Sequence, residues 1–250
     1  MNALSPAKAF TPDSPLVTRV HPARNVEDRR NGALPRLVIL HYTGMASAEK
    51  AIDWLAREES RVSCHYVIDE AGRITQLVPE GLRAWHAGVS YWHGETDINS
   101  HSIGIEIHNA GHADGYPDFP ARQIGAVIAL TRDICARHTI APQGVLGHSD
   151  VAISRKIDPG EKFPWARLAR DGVGHWVRPS RIAPDDPGSD IGAAGAHVDG
   201  ARALLRAYGY DVQAHGPFDE QMRKAVQAFQ RHFRPQRYDG RLDRSTLSTL

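Results

Sequence analysis

The sequence predicts an α/β protein: a mixed central sheet flanked by helices, with a second, small three-helix domain behind it. Three observations predict this. Two continuous apolar runs, residues 36–41 (RLVILH) and 102–108 (SIGIEIH), read as buried strands. A long amphipathic stretch over 121–137 sets Ile124, Val127, Ile128, Thr131 and Ile134 on one helical face. A break rich in proline and glycine over 178–195 then leads into a tail whose patterns are all helical.

Residues 1 to about 30 are rich in Pro, Asp and Arg and are expected to form a loose lead-in. After Pro35 comes the first buried strand. Residues 47–57 carry Ala48, Ile52 and Leu55 at helical spacing, with Ser47 as the cap. Residues 65–69 (HYVID) alternate, AGR turns the chain, and 74–78 alternate again, which predicts a hairpin. The strand over 102–108 and the helix over 121–137 follow. A short strand is expected over 145–148, then an irregular loop to Pro164 and a helix starting within 163–168. In the tail, 201–208 holds Leu204, Leu205 and Tyr208 at core spacing, and 219–233 holds Met222, Val226, Phe229 and Phe233 on one stripe. A third helix is expected from 245 to the end. The predicted domains are 1–178 (core about 30–170), a linker over 179–195, and a tail domain over 196–250. The composition of the linker argues against a large core shared across it.

The balance of charge narrows the partners. With 30 basic and 29 acidic residues the net charge is +1, which argues against a nucleic acid or a membrane surface held by charge. No apolar run approaches the ~20 residues that a membrane span needs. Residues 1–10 carry one Lys and no apolar core, unlike a secretory signal, and no Cys stands there to carry a lipid. A monomeric cytoplasmic protein is therefore expected, with the periplasm or cell envelope as the alternative for a processed or truncated chain. Cys64 and Cys135 make no disulfide framework and are expected to pack as small apolar groups. The 14 histidines stand out, because imidazole is both a zinc ligand and a general base.

His41 closes one buried strand, His148 closes another, and Asp158 lies ten positions further on in an irregular loop. Strand ends in an α/β sheet gather distant residues at one mouth. Two imidazoles and one carboxylate suit a catalytic zinc, which keeps a fourth position open. Glu106 is the acid of the strand SIGIEIH. Alternation points it with Gly104 and His108, away from Ile103, Ile105 and Ile107. It is either a polar outward group or a general base. Lys156, two residues before Asp158 in extended chain, would point the same way as that ligand. It is either a solvated lysine or a cation for a developing oxyanion.

Three stretches carry a resemblance: SIGIEIHN, RVSCHYVIDEAGRITQLVPEGLRAWHAGVSYWHG and LGHSDVAISRKIDPGEKFPW. Over about residues 30–170 the chain resembles the type-2 N-acetylmuramoyl-L-alanine amidases, a family similar to phage lysozyme-like amidases and peptidoglycan recognition proteins. The resemblance implies zinc (Zn2+) held by His41, His148 and Asp158, with Glu106 as catalytic acid/base and Lys156 as oxyanion partner. It also implies a peptide-sugar groove lined by Arg61 and Trp85, with His65 and His86 in supporting roles. Phage-type relatives place a Tyr where Cys64 stands and lack the acid at Glu106, so the pattern is closer to the bacterial branch. Recycling enzymes of that branch carry an Arg where Asp97 stands. His21, His93, His112, His175 and His215 are expected at the surface.

The tail segments LLRAYGYDVQAHGPFDEQMRKAVQAFQRHF and YDGRLDRSTLSTL resemble the small three-helix peptidoglycan-binding domain. In its Gly216-Pro217-Phe218-Asp219 turn, Gly216 permits positive φ and Asp219 can cap the next helix. The implied reaction is hydrolysis of the amide between N-acetylmuramic acid and L-alanine, in wall turnover or in recycling of (anhydro-)muropeptides. The rival is a recognition protein that holds peptidoglycan without cutting it. A zinc protease is excluded by the absence of an HExxH helix.

Overall fold

The computed structural model describes residues 9–250; residues 1–8, the start of the expected lead-in, lie outside the described residues. The architecture is mixed α/β. Its strands are β1 (Arg19–Val20), β2 (Val26–Asp28), β3 (Leu37–Tyr42), β4 (Tyr66–Ile68), β5 (Ile74–Gln76), β6 (Leu82–Ala84), β7 (Ser102–Ile107) and β8 (Val145–Gly147). Its helices are α1 (Ala48–Ala56), α2 (Ile98–His101), α3 (Ala121–His138), α4 (His148–Val151), α5 (Trp165–Arg170), α6 (Ala196–Tyr208), α7 (Glu220–Phe233) and α8 (Arg244–Thr249).

The main sheet runs in the order β1-β5-β4-β7-β3-β8. β3, β7 and β4 are parallel neighbours, and β4–β5 is the predicted antiparallel hairpin. A mostly parallel sheet is buried on both faces, which is why β3 and β7 read as unbroken apolar runs. Val38, Ile39, Leu40, Ile103, Ile105 and Ile107 are fully buried. α1 begins where Ser47 Oγ accepts the Lys50 N–H at 3.2 Å, as its sequence predicts. α3 buries Ile124, Val127, Ile128, Leu130, Thr131 and Ile134.

By packing, the chain divides into two compact units. The first takes in the chain up to Gly88 together with Asn99–Val145; the second takes in Val89–Ile98 and Leu146–Leu250. In the first unit, the segment after residue 12 is not loose. β1 pairs with β5, β2 pairs with β6, and Ser14, Ala23, Asn25 and Arg29 are buried. β1 and β2 are short and lie among Pro, Arg and Asp without an apolar alternation, so the sequence pattern does not reveal them.

In the second unit, the helical tail packs on residues that precede the proline-rich stretch. Trp92 meets Tyr208 and Tyr210 edge-on at 5.7 and 5.0 Å between centroids. Gly209 makes the approach possible, since a Cβ there would lie 2.6 Å from the Trp92 ring. Trp165 of α5 stacks on His232 of α7 at 3.8 Å. Asp219 and Asp243 cap α7 and α8, accepting from Met222 N at 2.8 Å and Thr246 N at 2.7 Å.

Candidate active site

β3 and β7 run in parallel with His41 opposite Glu106 and Ile39 opposite Gly104. In-register partners on neighbouring parallel strands share a face, so His41 and Glu106 stand side by side. Glu106 also pairs in register with Val67 of β4. The expected alternation therefore holds: Glu106 leaves the face of Ile103, Ile105 and Ile107, which are buried on the other side. Its Oε2 is sealed from solvent although the residue as a whole is only half-buried.

Gly104 is bare because a ring occupies the place of its side chain. An added Cβ would lie 2.6 Å from His86 Cγ. That ring bridges two strands: His86 Nδ1 is 3.0 Å from His41 Nε2, and His86 Nε2 is 3.1 Å from Ser102 Oγ. Asn99 fixes the loop carrying it, accepting from the backbone N–H groups of His86 and Ala87 at 3.0 and 2.8 Å.

His65 packs edge-on to His86 at 5.7 Å and is fully buried. Its Nδ1 accepts the Gly104 N–H at 3.0 Å, so Nε2 carries the proton and faces the Leu82 carbonyl at 3.1 Å. Burial first, and then the neighbouring Arg29 guanidinium, push its pKa down to about 3. His65 is thus a neutral strut. Cys64 beside it is fully buried, and burial followed by the charge of Glu106 pushes its thiol well up.

Trp85 is half-buried. Its backbone N–H donates to Ser63 Oγ at 2.9 Å, and its indole nitrogen is buried with no hydrogen-bond partner among the described residues. Arg61 is exposed at a left-handed turn with φ 54°. No bond joins Trp85 and Arg61 to each other in the first unit.

In the second unit, His148 and Asp158 are both buried, with His148 Nδ1 3.1 Å from Asp158 Oδ2. The Ser149 N–H donates to the Asp158 carbonyl at 2.8 Å, which pins the loop to the turn. His148 does not end the strand as expected. β8 stops at Gly147, and His148 opens α4. The cause is Asp150, whose carboxylate reaches back to accept the Gly147 N–H at 2.8 Å and so turns the chain. Lys156 is half-buried, its N–H bonded to the Ala152 carbonyl at 3.0 Å. The neighbouring Arg155, which the sequence reading passed over, donates to Val89 O at 2.9 Å and lies 3.4 Å from His148 Nε2. Its signal was only its place beside Lys156. His175, expected at the surface, is half-buried and bonds the Tyr208 hydroxyl at 2.9 Å.

The first unit presents imidazole beside carboxylate on a strand pair, and the second presents a buried His–Asp pair after β8. Comparison with known proteins identifies the family. The N-acetylmuramoyl-L-alanine amidase family matches residues 31–161, and a peptidoglycan-binding domain family matches 195–250. The chain is 39% identical to the N-acetylmuramoyl-L-alanine amidase AmiD of Escherichia coli over 237 residues, 86% of this chain and 81% of that one. The solved AmiD structure, a complex with the substrate anhydro-N-acetylmuramic acid-L-Ala-D-gamma-Glu-L-Lys, superposes with a TM-score of 0.72 at 36% identity, covering 88% of this chain and 89% of that one. AmpDh3 of Pseudomonas aeruginosa, solved with anhydromuramic pentapeptide, gives 0.71 at 32% identity, covering 90% and 94%. The chain belongs to the N-acetylmuramoyl-L-alanine amidase family and is an enzyme of that activity, with a C-terminal peptidoglycan-binding domain. Among the described residues, no helix is long and apolar enough to cross a membrane.

Proposed function

We propose that this amidase is zinc-dependent and hydrolyses the bond between N-acetylmuramic acid and L-alanine in peptidoglycan fragments, in cell-wall turnover or muropeptide recycling. The observation that carries the reading is the in-register placement of His41 beside Glu106 on β3 and β7. It sets a candidate metal ligand next to a candidate base on rigid strands.

We assign the metal to His41, His148 and Asp158, the group of buried imidazole and carboxylate donors suited to an ion among the described residues. The donor set fits zinc, which favours nitrogen and carboxylate oxygen and, in catalytic sites, three protein ligands. The close approach of His148 to Asp158 supports it, as does the His86 contact on His41 Nε2, which would leave Nδ1 for the metal. When bound, zinc supplies Lewis acidity at the scissile carbonyl.

The remaining steps fall to this chain's own side chains. Glu106 takes a proton from the attacking water and returns it to the leaving L-alanine amine. The Lys156 ammonium lies beside the oxyanion as the carbonyl becomes tetrahedral. Trp85 offers an aromatic face and an indole donor to the muropeptide, and Arg61 a cation to its carboxylates. Support for an anhydro-muropeptide substrate is the ligand in the AmiD and AmpDh3 complexes. The two unlinked cysteines, Cys64 and Cys135, fit a reducing compartment.

Asp158→Ala tests the assignment. Zinc content and turnover should fall together, because two imidazoles alone hold zinc far more weakly. Stoichiometric zinc in the purified, folded variant would remove Asp158 from the ligand set.

A further inference from the structure

The buried carboxylate of Asp150 is where three segments of the second unit meet. Its Oδ2 accepts the Gly147 N–H at 2.8 Å and lies 2.8 Å from His232 Nδ1. Its Oδ1 accepts the Tyr210 hydroxyl at 2.7 Å. All three side chains are at most 2% exposed. Tyr210 follows α6 and His232 lies on α7, so both come from the peptidoglycan-binding tail, while Gly147 and Asp150 bracket His148. The far side of the cluster is equally filled. His232 Nε2 is 3.2 Å from the His175 carbonyl, and the ring lies flat on Trp165 at 3.8 Å with 12° between planes. Even Gly147 is packed: a Cβ there would lie 2.8 Å from Pro159 Cδ and 3.3 Å from the Trp165 ring.

We propose that Tyr210 and His232 are positioning residues for the amidase, holding the turn that carries His148 through the carboxylate of Asp150. The inference rests on the reading of His148 as a zinc ligand. The tail then does more than bind wall polymer; it completes the support of a catalytic ligand. A purely structural contact has no need of this arrangement. The two tail donors converge on the one side chain that also closes the first turn of α4, and the imidazole rides on that turn. Removing a donor leaves a buried carboxylate short of a partner and able to move. Movement there reorients Gly147–His148, and loss of an outer partner of a metal ligand typically costs about 10–100-fold in affinity or activity.

The test uses full-length, zinc-loaded protein carrying Tyr210→Phe, His232→Phe or His232→Asn. Tyr210→Phe removes one hydroxyl; His232→Phe keeps the stacking on Trp165; His232→Asn restores a donor near the Nδ1 position. Leu205→Ala, in the buried core of α6, serves as a tail mutation that destabilises without touching Asp150. Three quantities are read: the rate of zinc release to a chelator, kcat and KM on an anhydro-muramyl tripeptide, and hydrogen exchange of the Gly147 amide in the metal-free protein. Tyr210→Phe and His232→Phe should each speed zinc release about 10-fold or more and lower kcat, with KM little changed. His232→Asn should recover most of the loss, and the Gly147 amide should exchange faster in the first two variants. The proposal is overturned if folded Tyr210→Phe and His232→Phe release zinc and turn over like the parent, or if Leu205→Ala reproduces their effect. Should His232→Phe fail to fold, Tyr210→Phe decides alone. A parent protein that binds no zinc would overturn the metal assignment instead, and Gly147 exchange would still show whether the tail holds the turn.

Discussion

Glu106 owes its position to the period of the strand, and two buried groups of the same unit, Cys64 and His65, are uncharged at neutral pH. The Cys64 thiol, raised by burial and by Glu106 itself, stays protonated and contributes no charge. His65, pushed down to about 3, stays neutral. Replacing Glu106 with Gln keeps the shape and removes the proposed base. Turnover should fall by roughly 10²–10⁴-fold while zinc content is unchanged; near-parental turnover would move the base role to another group. A fully buried acid, Glu80, is held by a different set of partners. Burial would raise its pKa, but hydrogen bonds from Arg137, His138 and Tyr66 hold it down to about 2. Arg137 donates to both carboxylate oxygens, one bond at 2.8 Å, while Tyr66 donates at 2.6 Å. At neutral pH, Glu80→Gln should lose about 2–3 kcal/mol in chemical unfolding, the worth of buried hydrogen bonds to a charged group. Glu106 stood out in the sequence because it interrupts an apolar run. Glu80 did not, because its partners Tyr66, Arg137 and His138 are 14, 57 and 58 positions away.

At the scale of elements, the site depends on the register of β3 against β7. A slip of one residue would turn Glu106 to the opposite face and set His41 beside an isoleucine. Gly104 reports on this arrangement, because the His86 ring fills the space over it. Gly104→Ala should destabilise the protein by about 1–3 kcal/mol through overpacking and displace His86 from His41. The displacement should appear as a shifted His86 ring resonance, and an unshifted ring would contradict the packing described. The sequence disclosed the elements with a clear apolar pattern: β3, β7, α1, α3 and α7, and also the short β4–β5 hairpin and β8. Those it hid are short and lack such a pattern. β1, β2 and β6 have two or three residues each, and α4 is a single turn made by the Asp150 side chain rather than by propensity. Candidate ligands were legible as residue types at strand ends. The supports of His148 were not, since Tyr210 and His232 reach Asp150 from 60 and 82 positions downstream.

For the molecule as a whole, two buried groups make large contributions to the response to acid. His65 takes up a proton at its ordinary value of 6.5 only when the chain unfolds, so its contribution is complete above 6.5 and is lost as pH falls toward about 3. Glu80 contributes fully above 4.5 and loses its contribution toward about 2. Unfolding free energy should therefore decline through both windows. His65→Gln should flatten the decline between 6.5 and 3, and Glu80→Gln the part below 4.5; curves parallel to the parent's would refute both assignments. Within the second unit, side chains of the peptidoglycan-binding tail reach the turn of His148 through Asp150. The proposed activity rests on the bond that is cut and the need for zinc. Mass spectrometry of products from an anhydro-N-acetylmuramyl peptide, with zinc-loaded and chelator-stripped protein, measures both. The expected products are one intact stem peptide with a free L-alanine amino terminus and one sugar with a free lactyl carboxylate, with no products after stripping until zinc is restored. Cleavage inside the peptide or the glycan, or an undiminished rate in the stripped protein, would contradict it.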